Sequence, residues 1–318
     1  MVGFRVMTFR CLADGLQFPE SPVVCEDGSV LVSEIAGGRI TLVHQDGSTQ
    51  TYADTGGGPN GLGRLPGGKL VVCQNGGSRF EIGPWPYEFD GCAMLFRPIG
   101  PAESPVTPQL QLVDVTGAVS TLATEFVARD GSTQPLVRPS DICVDGLGGF
   151  YITDGGAVYG RTRSVTGLLY GTLGGEIREI VYPLEMPNGV ALSPDGAKVY
   201  VAETRTRRIW EFELEAPGVV GRGRGLATVP SGGPLNVGGA DGVCVDRDGR
   251  ILVATLGTGG VSVFSPEGDL LGRIPADDPM TTNMTLSADG DTLYMTLASS
   301  GRLIMVDNWL DAARIASA

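Results

Sequence analysis

A single histidine, His44, is the chain's whole supply of imidazole. No His-rich zinc site can be built from it, and a Ser-His-Asp triad would have to use this one residue. It is followed at once by a Gln-Asp-Gly turn and reads as an exposed strand end. Cysteine is sparse and scattered: Cys11, Cys25, Cys73, Cys92, Cys143 and Cys244 form no CxxC pair, which excludes a zinc ribbon and a disulfide framework. Cys25, Cys143 and Cys244 each fall in a short apolar run, where a thiol packs as a small hydrophobe. No apolar run approaches the roughly 20 residues needed to cross a bilayer. The opening stretch "MVGFRVMTFRCLADG" is broken by Arg5 and Arg10 and lacks a signal peptide's apolar core and small-residue cleavage site. A cytoplasmic protein with no membrane partner is therefore expected. Positive charge is also short, 23 Lys and Arg against 36 Asp and Glu, for a net charge of −13. Nucleic acid and anionic membranes reward cations, so both are excluded as partners, while small molecules and metal ions fit.

Glycine and proline are plentiful, at 49 and 21 residues of 318. They point to many turns joining short strands in an all-β protein. Six segments stack on one another: "PESPVVCEDGSVLVSE" from Pro19, "PNGLGRLPGGKLVVCQ" from Pro59, "PSDICVDGLGGFYITD" from Pro139, "PNGVALSPDGAKVYVAE" from Pro187, "ADGVCVDRDGRILVAT" from Ala240 and "TNMTLSADGDTLYMT" from Thr282. Each runs from a polar residue through a short apolar strand and a glycine turn to a second apolar strand. Glu20, Asn60, Ser140, Asn188 and Asp241 each lie eight residues before the turn glycine, and Asn283 lies seven before its own. These residues recur at intervals of 40, 80, 48, 53 and 42, which leaves room for four strands per repeat. That is the period of propeller blades, so one six-bladed β-propeller domain over residues 1–318 is expected. The long interval implies an insertion at about 77–137, containing "GPWPYEFDG", that could cover one mouth of the channel. The strand "FRVMTFRCL" is expected to pair with "GRLIMVDNW" and close the ring, and Asp311 to Ala318 to form a short helix.

In a propeller the innermost strands line a central channel. The shared register puts Glu20, Asn60, Ser140 with Asp141, Asn188, Asp241 and Asn283 in a ring at its mouth. Asn and Asp also favour turns, so any one of them could be architectural. Together they bring two partly desolvated carboxylates, Glu20 and Asp241, face to face, which is costly unless a cation neutralises them. Oxygen donors without His or Cys suit a hard divalent ion such as Ca²⁺, Mg²⁺ or Mn²⁺.

The motifs "FPESP", "RPSD", "MPNGVALSPDG" and "GADGVCVDRDG" resemble, in order and spacing, those of the senescence marker protein, gluconolactonase and luciferin-regenerating enzyme family, from Phe18 to Thr296. The resemblance implies a six-bladed propeller with one divalent cation, Ca²⁺ ahead of Zn²⁺, Mn²⁺, Mg²⁺ or Fe²⁺, that hydrolyses a lactone. Glu20, Asn188 and Asp241 match the family's metal ligands, and Arg138 matches its substrate-holding arginine. Ser140 stands where the family has asparagine in "R-x-N-D", which implies an extra water on the metal or a different substrate pocket. Asn60 and Asn283 join Arg138 and Ser140 as further channel-lining, substrate-side positions. The expected reaction is opening of a cyclic ester, its carbonyl polarised by the cation and its attacking water activated by Asp241 as general base. A hydrolase of another ester or of a phosphotriester is the rival within enzymes. A propeller that only binds a ligand or protein is the rival outside them.

Overall fold

The second strand of every repeat reads as an almost unbroken apolar run, such as "VLVSE" at Val30–Glu34 and "ILVATL" at Ile251–Leu256. Strands buried on one face alternate; these do not, because both faces of their sheet are covered. The computed structural model, which describes residues 9–84, 95–159, 161–230 and 239–315, shows what covers them. The repeats form six blades of antiparallel strands, each with the repeat's first strand innermost. These inner strands are Pro19–Val24, Pro59–Arg64, Pro139–Val144, Pro187–Leu192, Gly239–Val245 and Thr281–Leu286. Each touches the next, and the last returns to the first, so they enclose an axis. The chain is thus a six-bladed β-propeller.

The core is divided among the interfaces between blades. One cluster joins Leu31 and Ile40 of blade one to Leu62, Leu70 and Val72 of blade two, and five further clusters repeat the arrangement around the ring. Cys25, Cys143 and Cys244 pack at the edges of three of them, as small hydrophobes should. The turn glycines Gly28, Gly68, Gly148, Gly196, Gly249 and Gly290 all have φ between 69° and 88°, a conformation glycine adopts without strain.

Closure follows the expected route. Phe9–Ala13 pairs antiparallel with Arg302–Asp307 and supplies the outer strand of blade six. The terminal helix begins two residues earlier than expected, at Trp309, whose buried indole donates to the Gly290 carbonyl at 2.9 Å. His44 directly follows the third strand of blade one and is half-buried rather than exposed.

The stretch 77–137 holds more than an excursion. Gln109–Val113 and Val119–Ala123 are the ordinary outer strands of blade two. Two extra hairpins flank them. One pairs Thr133–Pro135 with Glu125–Val127, which joins the edge of blade three by a parallel bridge from Val127 to Arg178. The other pairs Ser78–Gly83 with Leu95–Pro101; residues 85–91 of "GPWPYEFDG" lie outside the described residues. On this ribbon Phe80 and Phe96 stack at 4.9 Å and pack against Phe18, beside Ile35 and Ala298. The ribbon is thereby seated over blades one and six, on the side where Phe18 leads into Glu20.

Candidate active site at the channel axis

A break in strand pairing turns the ring residues inward. Every inner strand shifts register against its partner near its start, for example between Glu20 and Val23, Pro187 and Val190, and Ala240 and Val243. Such bulges re-aim side chains, and here one lies near the start of each of the six inner strands. Glycines following three of the ring residues let neighbouring backbones close up. A Cβ on Gly189 would stand 2.3 Å from the Asp241 carbonyl oxygen, and one on Gly61 2.7 Å from the Asp141 Cα. Hydroxyls tie blade to blade at this level: Ser33 donates to the Asn60 carbonyl at 2.6 Å and Thr282 to the Pro19 carbonyl at 3.0 Å.

Two hydrogen-bonded groups meet at the axis. Asn283 Nδ2 donates to Glu20 Oε2 at 3.0 Å and reaches Asp141 Oδ2 at 3.4 Å. Asn188 Nδ2 donates to Asp241 Oδ1 and contacts Thr204 Oγ1 at 3.3 Å. Glu20, Asp141 and Asp241 are each no more than 5% exposed. Burial, then the charge of Asp141, pushes the Glu20 carboxyl up to about 8. Burial pushes Asp141 up to about 7. Burial, then Glu20 and Asp141, drives Asp241 well above the carboxylate range, with Arg138 pulling the other way. Arg138 is half-buried and makes no ion pair among the described residues; burial lowers its pKa, against the pull of Asp241 and Asp154. Asn60 and Ser140 are buried on their inner strands, and neither side chain has a hydrogen bond among the described residues.

Asn283 belongs to a different level from the other ring residues. Its backbone N–H takes the Thr296 hydroxyl at 3.0 Å and its Oδ1 the Met284 N–H at 2.8 Å. Asp141 repeats this with Thr153 at 3.0 Å and Ile142 at 2.9 Å. The two residues are equivalents, one step deeper than Ser140, which explains why Asn283 is seven and not eight residues from its turn glycine. Asp141 is the axial carboxylate to which sequence reasoning gave no role; its signal was that same one-residue offset.

The residues present fit a hard cation. Three carboxylates are buried with no ion pair among the described residues, and two amides lie against them. Among the described residues no three His, Cys, Asp or Glu side chains gather closely enough to hold an ion alone, so amide oxygens would have to complete the set. A flip of the Asn188 amide exchanges its donor for an acceptor in place.

A family model described as the SMP-30/Gluconolactonase/LRE-like region matches residues 18–299. The chain belongs to this family. The SMP-30/gluconolactonase match spans all six inner strands, in agreement with the motif resemblance. Among relatives, lactonase drp35 of Staphylococcus haemolyticus is 28% identical over 82% of this chain, and diisopropyl-fluorophosphatase of Loligo vulgaris 27% identical over 54%. The chain spans 70% and 58% of the lengths of these two relatives. The solved gluconolactonase XC5397 of Xanthomonas campestris shares the fold at a TM-score of 0.73 and 24% identity, over 95% of this chain and 89% of that one. A calcium-binding regucalcin of Agrobacterium tumefaciens shares it at 0.67 and 17%, over 94% and 93%. No helix among the described residues is long and apolar enough to cross a membrane.

Proposed function

We propose that this protein is a metal-dependent lactonase acting on a small cyclic ester. The observation that carries the reading is the buried, under-neutralised group of Glu20, Asp141 and Asp241 at the axis of a propeller of this family. Glu20, Asn188 and Asp241 would hold one divalent cation, with Ca²⁺ first among oxygen-preferring ions. Such an ion, when bound, supplies Lewis-acid polarisation of an ester carbonyl and offsets developing negative charge, worth several kcal/mol.

The chain's own residues do the remainder. Asp241 takes the proton from the attacking water. Arg138 binds a substrate oxygen, and the Ser140 hydroxyl and Asn60 amide, unengaged by the described residues, orient its polar groups. Asn283 spaces Glu20 from Asp141 and keeps both carboxyls in place.

The test removes metal with a chelator and restores Ca²⁺, Mn²⁺, Zn²⁺, Mg²⁺ or Fe²⁺ singly while acid release from a panel of lactones is followed. Activity lost and regained supports the reading; activity indifferent to chelation sinks it. Asp241→Asn should bind the ion yet lose turnover, and full turnover would remove Asp241 from its role. The similarity to the Loligo vulgaris diisopropyl-fluorophosphatase favours a second reading, phosphotriester hydrolysis, so fluorophosphates belong in the same panel.

A further inference from the structure

One rung above the axial ring, the residue at the end of each blade's second strand meets the chain that enters its first. Ile35, Asn75, Gly155, Thr204 and Ala298 donate their N–H groups to the carbonyls of Phe18, Gly58, Arg138, Met186 and Met280 at 2.8–3.1 Å. In blade five Leu256 takes this place, paired with Gly239. The position therefore holds Ile35 above Glu20, Leu256 above Asp241 and Thr204 above Asn188. Above the two carboxylates the side chain is apolar, and above the amide it carries a hydroxyl.

That hydroxyl touches the amide: Thr204 Oγ1 lies 3.3 Å from Asn188 Nδ2. Its direction is set from the next blade. A Cβ on Gly239 would stand 2.7 Å from the Thr204 Cγ2 methyl, so the missing side chain makes the seat in which the methyl rests. A β-branched side chain has few χ1 wells, and seating its methyl also aims its hydroxyl.

The contrast with Ile35 and Leu256 follows from what each ring residue presents. A carboxylate offers oxygen whichever way it turns, whereas an amide has oxygen on one side and N–H on the other. Asn188 here gives its Nδ2 to both Asp241 and Thr204. To present Oδ1 beside Asp241 the amide turns over, which puts Oδ1 against the same hydroxyl. A hydroxyl accepts from the first orientation and donates to the second; a methyl pairs with neither.

We propose that Thr204 is the positioning residue for Asn188: its hydroxyl pairs with the amide in either orientation and so sets the affinity of the axial site for a divalent cation. The inference rests on the metal-dependent reading for its effect on affinity, but not for the contact.

Thr204→Val keeps the shape and removes the hydroxyl, Thr204→Ser keeps the hydroxyl, and Asn188→Asp removes the choice of orientation. Calorimetric titration of the chelator-stripped protein with Ca²⁺ should show affinity about tenfold weaker in Thr204→Val, the low end of what losing a ligand's orienting partner costs, and within about threefold of wild type in Thr204→Ser. In an Asn188→Asp background Thr204→Val should change affinity by less than about twofold, because the effect passes through the amide. The Asn188 side-chain N–H resonances, assigned by their loss in Asn188→Asp, should shift in metal-free Thr204→Val and hold in Thr204→Ser. Equal losses of affinity in the two backgrounds overturn the proposal, as do resonances unmoved in Thr204→Val. So does failure of both Thr204→Val and Thr204→Ala to fold, since that makes Thr204 scaffold alone. If the wild-type protein takes up no divalent ion, the metal reading fails by itself, and the resonances still decide whether Thr204 holds Asn188.

Discussion

Glu20, Asp141 and Asp241 are buried together at the channel end with no ion pair among the described residues, so ionising them works against folding. Glu20 holds its proton up to about 8 and Asp141 up to about 7 in the fold. In the unfolded chain both release it near about pH 4. Between those limits the folded state binds more protons, so the metal-free protein should lose stability as pH rises from about 4 to about 8. Thermal unfolding in chelator across that range should show Tm falling; a flat or rising Tm would contradict the burial of these charges. Ca²⁺ should raise Tm most at the alkaline end and release protons as it binds. Asp141→Asn isolates one contributor. It keeps an oxygen for the Ile142 N–H and deletes a charge, so it should raise the metal-free Tm at pH 8 by several degrees and leave it little changed at pH 5. A lower Tm at pH 8 would mean that the carboxylate is held by attractive contacts and not tolerated against repulsion.

Blades are built from strands whose pairing slips at one point, and that slip decides what could be read in advance. The six strand pairs, the turn glycines and the inward ring were legible because each repeats, and repetition separates a site residue from a chance turn residue. The outer strands of blade two were masked by hairpins on both sides of them, and Asp141, placed in the ring, was given no role because its counterparts Gly61, Gly189 and Gly242 carry no side chain. Glu34, Asp154 and Glu203 carried no signal, since no pattern in one chain shows that a carboxylate is buried against loop N–H groups. The glycines give a direct test of the slip. Gly189→Ala drives a Cβ against the Asp241 carbonyl and, at 2.5 Å, the Val243 nitrogen, neither of which can yield without parting two inner strands. It should cost about 3 kcal/mol and abolish turnover. Gly146→Ala, with nothing within 4 Å, should stay within about 0.5 kcal/mol. Equal denaturation midpoints for the two variants would show that the inner strands have slack.

At the scale of the molecule, stability depends on the ring being complete, because no blade covers its own faces. Five blades take their strands from one stretch of chain, whereas blade six borrows Phe9–Ala13. That strand pairs Arg10 with Met305 and Cys11 with Ile304, and sends Leu12 into a cluster with Val30 and Val32 of blade one and Leu303 and Met305 of blade six. It therefore seals a sheet edge and an inter-blade interface at once. Deleting residues 1–13 should leave the N–H and C=O groups of Arg302–Asp307 open along an apolar strand, a template for edge-to-edge association. The truncated chain should be recovered largely as aggregate, with any soluble fraction unfolding well below the intact protein. Leu12→Asp separates the two contributions: it keeps the backbone pairing and buries a charge in the interface, so it should lower stability by about 3 kcal/mol without exposing the edge. If closure works as the pairing implies, size-exclusion chromatography will show the point variant monomeric and destabilised and the deletion associated. A deletion that stays monomeric with an unchanged Tm would mean that the ring is held by its interfaces without its seam.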